Sequence, residues 1–137
     1  AAAGATTGYD RISNFHQSGD VIRLSGALRT ALDDNSNGTI AVSSSAQSAV
    51  NLSTSEAVLL TTAVGSGNLA NTSFTGLIMA MGNLAATGGT ALVVANDGTN
   101  SAVYVVSDAD TSGTVSASEI TLLGLFSNVI LTSGNIS

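Results

Sequence analysis

The chain has 137 residues, enough for one domain, and 44% of them are hydrophobic, which excludes a disordered tail. Nine acidic residues against three basic ones give a net charge of −6, so with no basic patch we do not expect nucleic acid as a partner. Cysteine is absent, which excludes disulfides and thiolate metal sites, and no apolar run reaches the roughly 18 residues of a transmembrane segment.

The first third of the chain predicts short strands joined by polar turns. Apolar and polar residues alternate in two segments on either side of a turn at 16–19, which is the pattern of half-buried strands. A helical turn, a loop rich in Asp and Asn, and a further strand follow. The predicted elements are strands Arg11–Phe15 and Asp20–Leu24, helical turn Gly26–Leu32, loop Asp33–Gly38 and strand Thr39–Val42.

The rest of the chain predicts two helices and then strands. A capping box of Ser53 and Glu56 opens the first helix, and the second stops at Gly88-Gly89. Two Val-rich runs flank an Asp-Gly turn at 96–100, which indicates a hairpin. The predicted elements are helices Ala57–Val64 and Thr72–Leu84, hairpin strands Ala91–Ala95 and Ala102–Val106, and strands Ile120–Leu125 (with a helix as the alternative) and Val129–Leu131.

These elements predict a single α+β domain over residues 1–137 that is mostly β. We expect short strands and hairpins in a β-roll-like or sandwich arrangement. One or two helices from the middle of the chain should pack on the strands.

The acidic segment 108–119 matches the twelve-residue calcium loop position by position. Oxygen-bearing residues fall at positions 1, 3, 5, 7, 9 and 12, the seventh acting through its carbonyl, and Gly113 at position 6 permits the sharp turn. Calcium prefers such oxygen ligands. The alternative is a solvated turn between strands. The predicted ligands are Asp108, Asp110, Ser112, Thr114, Ser116 and Glu119.

A weaker copy of this loop begins at Asp33. Its position 12 is Ser44, so the acid that closes the first loop is missing, although Asp34 is close in sequence. The alternative is a plain Asn/Gly turn. The predicted ligands are Asp33, Asn35, Asn37 and Thr39, and Asp10 and Asp20 are further candidates nearer the start of the chain.

Little in the sequence indicates catalysis. His16 is the only histidine, lies in a predicted turn and is expected to be solvated. The chain contains no H-E-x-x-H, no G-x-S-x-G and no phosphate-binding glycine loop. We therefore predict no catalytic residue and no cofactor-binding residue, and Ca²⁺ as the one bound ion.

The two ends of the chain resemble the C-terminal domains of RTX-type and bacterial surface-layer proteins. The segments 8–15 and 19–25 look like the G-x-D-x-I-x-x-F and G-x-D-x-I-x-L-S stretches that follow the calcium-binding nonapeptide repeats. Ala5 and Thr6 replace the glycine pair of a repeat, so residues 1–25 resemble a degenerate last turn. Residues 90–137 are similar to the closing hairpin with its calcium loop.

This resemblance implies a non-catalytic module at the C-terminal end of a longer secreted protein. It implies a type I secretion signal inside the domain, the type I secretion machinery as partner, and export to the exterior or cell surface without an N-terminal signal peptide. Folding would follow on extracellular calcium. The alternative is a structural subunit of a surface layer or extracellular filament that assembles through calcium. Self-association and cell-surface polysaccharide are the other partners considered.

Overall fold

A computed structural model describes residues 8–65, 67–71 and 73–137 of the chain. The predicted α+β class, mostly β, is confirmed. The elements of the described residues are β1 (Asp10–Ile12), α1 (Gly26–Leu32), β2 (Val42–Ser45), β3 (Ala57–Leu60), α2 (Thr75–Met81), β4 (Thr90–Asn96), β5 (Ser101–Ser107) and β6 (Ile120–Phe126). The predicted repeat turn at Ala5 and Thr6, and the predicted helix start at Thr72, lie outside the described residues.

The six strands form one mixed sheet in the order β1-β6-β5-β4-β3-β2. Strands β4, β5 and β6 pair antiparallel, whereas β2 and β3 run parallel to β4, and β1 runs parallel to β6. One apolar cluster, which includes Phe74 and Leu77, covers one face, and another, which includes Leu24 and Leu32, covers the other. A single sheet buried on both faces therefore takes the place of the expected β-roll-like or sandwich arrangement.

The hairpin of β4 and β5 is confirmed, and its turn explains the register. The Asp97 carboxylate accepts hydrogen bonds from the backbone N–H groups of Thr99 at 2.9 Å and Asn100 at 2.7 Å. Gly98 takes a φ of 92°, a left-handed conformation that glycine adopts without strain. The turn sets Asn96 opposite Ser101.

The helix predicted over Ala57–Val64 is wrong, because the first four of these residues, Ala57–Leu60, form strand β3. Val58 and Leu60 pack into the cluster on one face of the sheet, while Leu59 packs toward the other. A strand between two parallel neighbours is apolar on both sides, so its sequence lacks the alternation of a half-buried strand. The capping box is wrong too, because the Glu56 side chain accepts a hydrogen bond from the N–H of Ala41.

Helix α2 is shorter than predicted. It ends at Met81, three residues before the predicted end at Leu84, because Gly82 takes a φ of 64°. The helical turn predicted at Gly26–Leu32 is confirmed as α1.

Three strands predicted in the first third of the chain are shorter than predicted or absent. Strand β1 includes only Arg11 and Ile12 of the strand predicted at Arg11–Phe15. In the strand predicted at Asp20–Leu24 only Ile22 forms a bridge, with Ile136. The strand predicted at Thr39–Val42 begins at Val42.

The strand predicted at Val129–Leu131 does not form. The Ser101 hydroxyl donates to the carbonyl of Val129 at 2.9 Å and accepts from the N–H of Leu131 at 3.0 Å. A side chain thus satisfies the backbone groups that a neighbouring strand would otherwise pair.

Both candidate ion loops lie at the same edge of the sheet, where the strands start or end. Strands β2, β3 and β4 all start at this edge because they are parallel, β5 ends there, and β6 starts there. The loop of residues 33–41 leads into β2, and the loop of residues 108–119 joins β5 to β6.

Candidate metal centre

Three carboxylates meet in the loop between β5 and β6. Oxygens of Asp108, Asp110 and Glu119 all lie within 4.8 Å of one another. Two ligands of one calcium ion, each about 2.3–2.6 Å from it, are separated by no more than about 5 Å. The three acids are therefore close enough to hold a single metal ion together.

The Asp108 carboxylate organises the loop by accepting backbone hydrogen bonds. One oxygen accepts the N–H of Ser112 at 3.1 Å, and the other accepts those of Gly113 at 3.1 Å and Gly88 at 2.7 Å. Asp110 also accepts the Ser112 N–H, at 3.0 Å. Gly113 has a φ of 79°, so the chain reverses here without the strain that a side chain would bring.

Glu119 closes the loop from its other end. Its Oε1 accepts the backbone N–H groups of Ala109 at 2.8 Å and Asp110 at 3.3 Å, while its Oε2 accepts that of Ser116 at 2.9 Å. A 3-10 turn at residues 117–119, with a capping box between Ser116 and Glu119, fixes this side chain. The first and last residues of the twelve-residue spacing are thus brought together.

The electrostatics of the loop favour charged carboxylates. Hydrogen bonding, chiefly from the Gly88 N–H, lowers the pKa of Asp108 although its side chain is only 1% exposed. Partial burial raises the pKa of Glu119, but the backbone donors led by Ser116 outweigh it, so that pKa is also lowered. No Arg or Lys of the described chain forms an ion pair with these acids.

The remaining predicted ligands line the same loop. The Ser112 hydroxyl donates to the carbonyl oxygen of Thr114 at 2.9 Å, and the Ser116 hydroxyl lies 3.2 Å from Oε2 of Glu119. All of the candidate ligand atoms are oxygens, and the three acids carry all of their charge. Such a site suits a hard divalent cation rather than a metal that prefers nitrogen or sulfur ligands.

The loop that begins at Asp33 repeats the same hydrogen bonds without a cluster of three acids. The Asp33 carboxylate accepts the N–H groups of Asn37 at 3.1 Å and Gly38 at 2.8 Å, and Asn35 also accepts that of Asn37, at 3.0 Å. The Asn37 side chain accepts the N–H of Thr39 at 2.8 Å. The four predicted ligands therefore lie in one turn, while Ser44 is exposed in β2.

Asp10 and Asp20 do not join the acid cluster. Asp10 begins β1 opposite Gly124. The Asp20 carboxylate accepts the N–H of His16 at 2.7 Å and lies 3.5 Å from Nδ1 of that histidine. His16 is exposed, as expected.

Sequence reasoning missed the contribution of Gly88 and Gly89, which it assigned to the end of a helix. Gly88 donates to the Asp108 side chain, and Gly89 accepts the Asp108 backbone N–H at 3.0 Å. A Cβ on Gly89 would come within 2.4 Å of the backbone of residues 52 and 53. A glycine pair before a strand is the signal of such a close backbone approach.

Neither helix of the described residues is long and apolar enough to cross a membrane. A scan against protein-family models finds no match to the chain, and searches of curated proteins and of solved structures find no significant match either.

Proposed function

We propose that this chain is a non-enzymatic, calcium-binding C-terminal module of an RTX-type or surface-layer protein. One observation supports this most: Asp108, Asp110 and Glu119 occupy positions 1, 3 and 12 of a calcium loop, and their oxygens lie within 4.8 Å of one another.

The donor atoms favour calcium among the common metals. The chain has no cysteine, and its one histidine contacts Asp20 instead of the cluster. Calcium tolerates flexible sites built from six to eight oxygens, and this loop offers carboxylates, hydroxyls and a carbonyl.

Calcium would act on the folding of the domain. An ion that binds only the folded state stabilises it by about 1.4 kcal/mol per site when its concentration is ten times Kd. A domain of this kind has a free energy of unfolding of about 5–15 kcal/mol, so one or two sites contribute a substantial part. Without an ion, three neighbouring carboxylates repel one another.

This link between calcium and folding is compatible with export. A chain that stays unfolded where calcium is scarce can cross an envelope through the type I secretion machinery and fold outside. The resemblance of residues 8–25 and 90–137 to exported C-terminal domains supports this localisation and this partner.

Calorimetric titration of calcium, with thermal melts in chelator and in millimolar calcium, tests the binding function. We expect binding heat and a melting temperature about 10 °C higher when calcium is about 100 times Kd. Asp108→Ala and Glu119→Ala should lose both effects. Absence of heat together with unchanged melts would contradict the proposal.

A secretion assay tests the export function. The chain is fused to the C-terminus of a reporter without a signal peptide and expressed with or without a type I transporter. We expect the reporter in the medium only when both the chain and the transporter are present. Retention of the reporter in cells with a working transporter would reject the export function and leave calcium binding standing.

A further inference from the structure

Glu56 occupies, in the loop from Asp33, the place that Glu119 occupies in the loop from Asp108. The loop of residues 108–119 is complete because its twelfth residue is an acid, and Glu119 accepts the N–H of the ninth residue, Ser116, at 2.9 Å. In the Asp33 loop the ninth residue is Ala41, and its N–H is accepted by Oε2 of Glu56 at 2.6 Å. A carboxylate from outside the loop thus makes the contact that the loop's own twelfth residue does not make.

The sheet explains why Glu56 lies there. Ala41 directly precedes β2, and Glu56 directly precedes β3. These strands are parallel, with Val42 paired to Ala57, and the N–H of Ala57 donates to the carbonyl of Ala41 at 3.1 Å. Residues that precede two paired parallel strands lie side by side at the same sheet edge. The contact between Glu56 and the loop therefore forms only when β2 and β3 pair.

The second oxygen of Glu56 has no protein partner. Glu56 as a whole residue is only 5% exposed, and Oε1 makes no hydrogen bond to any described residue. Glu56 lines a cavity of about 260 Å³ together with Asp34 and Asn35, which are the second and third residues of the loop. In the complete loop, Oε1 of Glu119 accepts the N–H groups of the equivalent positions. A buried carboxylate oxygen without a partner is costly, and a bound cation removes that cost.

We propose that Glu56 completes a second calcium site between the Asp33 loop and the start of β3, an inference that rests on the calcium-binding function proposed above. Oε1 of Glu56 and the side-chain oxygens of Asp34 and Asn35, which line the same cavity, bind the ion. Asp33 fixes the shape of the turn by accepting the N–H groups of Asn37 and Gly38.

This second site binds calcium more weakly than the first. Asn35, which lines the cavity, is neutral where the first loop has the charged Asp110, and calcium affinity follows the charge count of the ligands. The Arg29 guanidinium also donates to the carbonyl of Gly38, which keeps a positive charge beside the loop. Two classes of site should therefore separate in a titration.

Calorimetric calcium titration of the full chain, with Glu56→Gln beside wild type, tests the proposal. Glutamine keeps an oxygen for the Ala41 N–H and nearly the same volume, but it removes the charge. We expect two ions on wild type and one on Glu56→Gln, or a second site at least ~10-fold weaker, with the tight site unchanged. The matched control Ser44→Ala, at the loop's own twelfth position, should still bind two ions.

The outcomes separate this inference from the function on which it rests. If wild type and Glu56→Gln both bind one ion with equal affinity, Glu56 is only a structural acceptor and the inference fails, while calcium binding stands. If neither binds calcium, the proposed function fails as well. If Glu56→Gln does not fold, native mass spectrometry counts the calcium ions bound to wild type and to Asn35→Ala, which alters an exposed loop residue. Two ions on wild type and one on Asn35→Ala support the site. A single ion on wild type overturns it.

Discussion

Replacing Glu119 by glutamine separates its role in the turn from its role as an ion ligand. Each carboxylate oxygen accepts a backbone N–H, from Ala109 and Asp110 on one side and from Ser116 on the other. In Glu119→Gln an amide nitrogen replaces one of these oxygens and cannot accept a hydrogen bond, so the backbone N–H groups on that side lose their acceptor. A hydrogen bond to a charged group contributes about 1.5–3 kcal/mol, and solvent screening reduces this to about 1 kcal/mol in a partly exposed loop. Weaker repulsion by the neighbouring acids offsets part of that cost.

Calcium enlarges the difference in the free energy of unfolding between Glu119→Gln and wild type. At about 100 times Kd the ion stabilises wild type by about 2.7 kcal/mol, and a variant that cannot bind it gains nothing. Glu119→Gln should therefore lower the free energy of unfolding by about 1 kcal/mol or less in chelator, but by about 3–4 kcal/mol in calcium. Urea denaturation in the two buffers measures both values.

Asp97→Asn is the matched control for this experiment. Asp97 also accepts backbone N–H groups in a turn, from Thr99 and Asn100, but it does not belong to the acid cluster. Its neutralisation should cost the same in chelator and in calcium. An equal loss for Glu119→Gln in both buffers would show that Glu119 is only a turn acceptor and would refute the reasoning.

Three further predictions concern stability. The pKa values of Asp108 and Glu119 are lowered from ordinary values of 3.8 and 4.5, so their contribution is complete above those values and is lost as pH falls through the lowered ones. In chelator, urea denaturation at pH 6, 4 and 3 should show declining stability, and a rise on acidification would contradict this. Tyr104→Phe should cost about 1–3 kcal/mol because the buried Leu69 carbonyl loses its hydroxyl donor, whereas an unchanged urea midpoint would indicate another donor. Gly89→Ala should cost about 3 kcal/mol, given a φ of 95° and a Cβ contact of 2.4 Å, and an unaltered thermal melt would contradict that packing.

The parts of the fold that the sequence predicts are those fixed by neighbouring residues. The β4–β5 hairpin follows from its Asp-Gly turn, and the Asp108 loop follows from a twelve-residue spacing. The hydrogen bonds inside the 97–100 turn and inside the 108–119 loop join residues at most 10 apart, so the local pattern contains the information, whereas the Gly88 donor, 20 residues before Asp108, escapes it.

Residues whose partners are distant in sequence could not be predicted in this way. The sequence of β3 predicts a helix because its neighbours, β2 and β4, are parallel strands that the local pattern does not show. For the same reason the local pattern predicts Glu56 in a helix cap, whereas the N–H group that it accepts belongs to Ala41, 15 residues earlier. The hydrogen bonds of Ser101 to Val129 and Leu131 likewise cancel a strand that hydrophobicity alone favours.

The pairing of the chain's two ends has a consequence for biosynthesis. Strand β1 lies against β6, Ile22 donates to the carbonyl of Asn135 at 2.7 Å, and Leu24 donates to that of Ser137 at 2.9 Å. Residues 10–24 are therefore synthesised more than 100 residues before their partners at 124–137. On the ribosome they cannot pair until those partners have emerged, and such long-range closure is slow. Until then the sheet of a nascent chain of this topology stays open at this seam, which leaves time for a cellular factor to engage it.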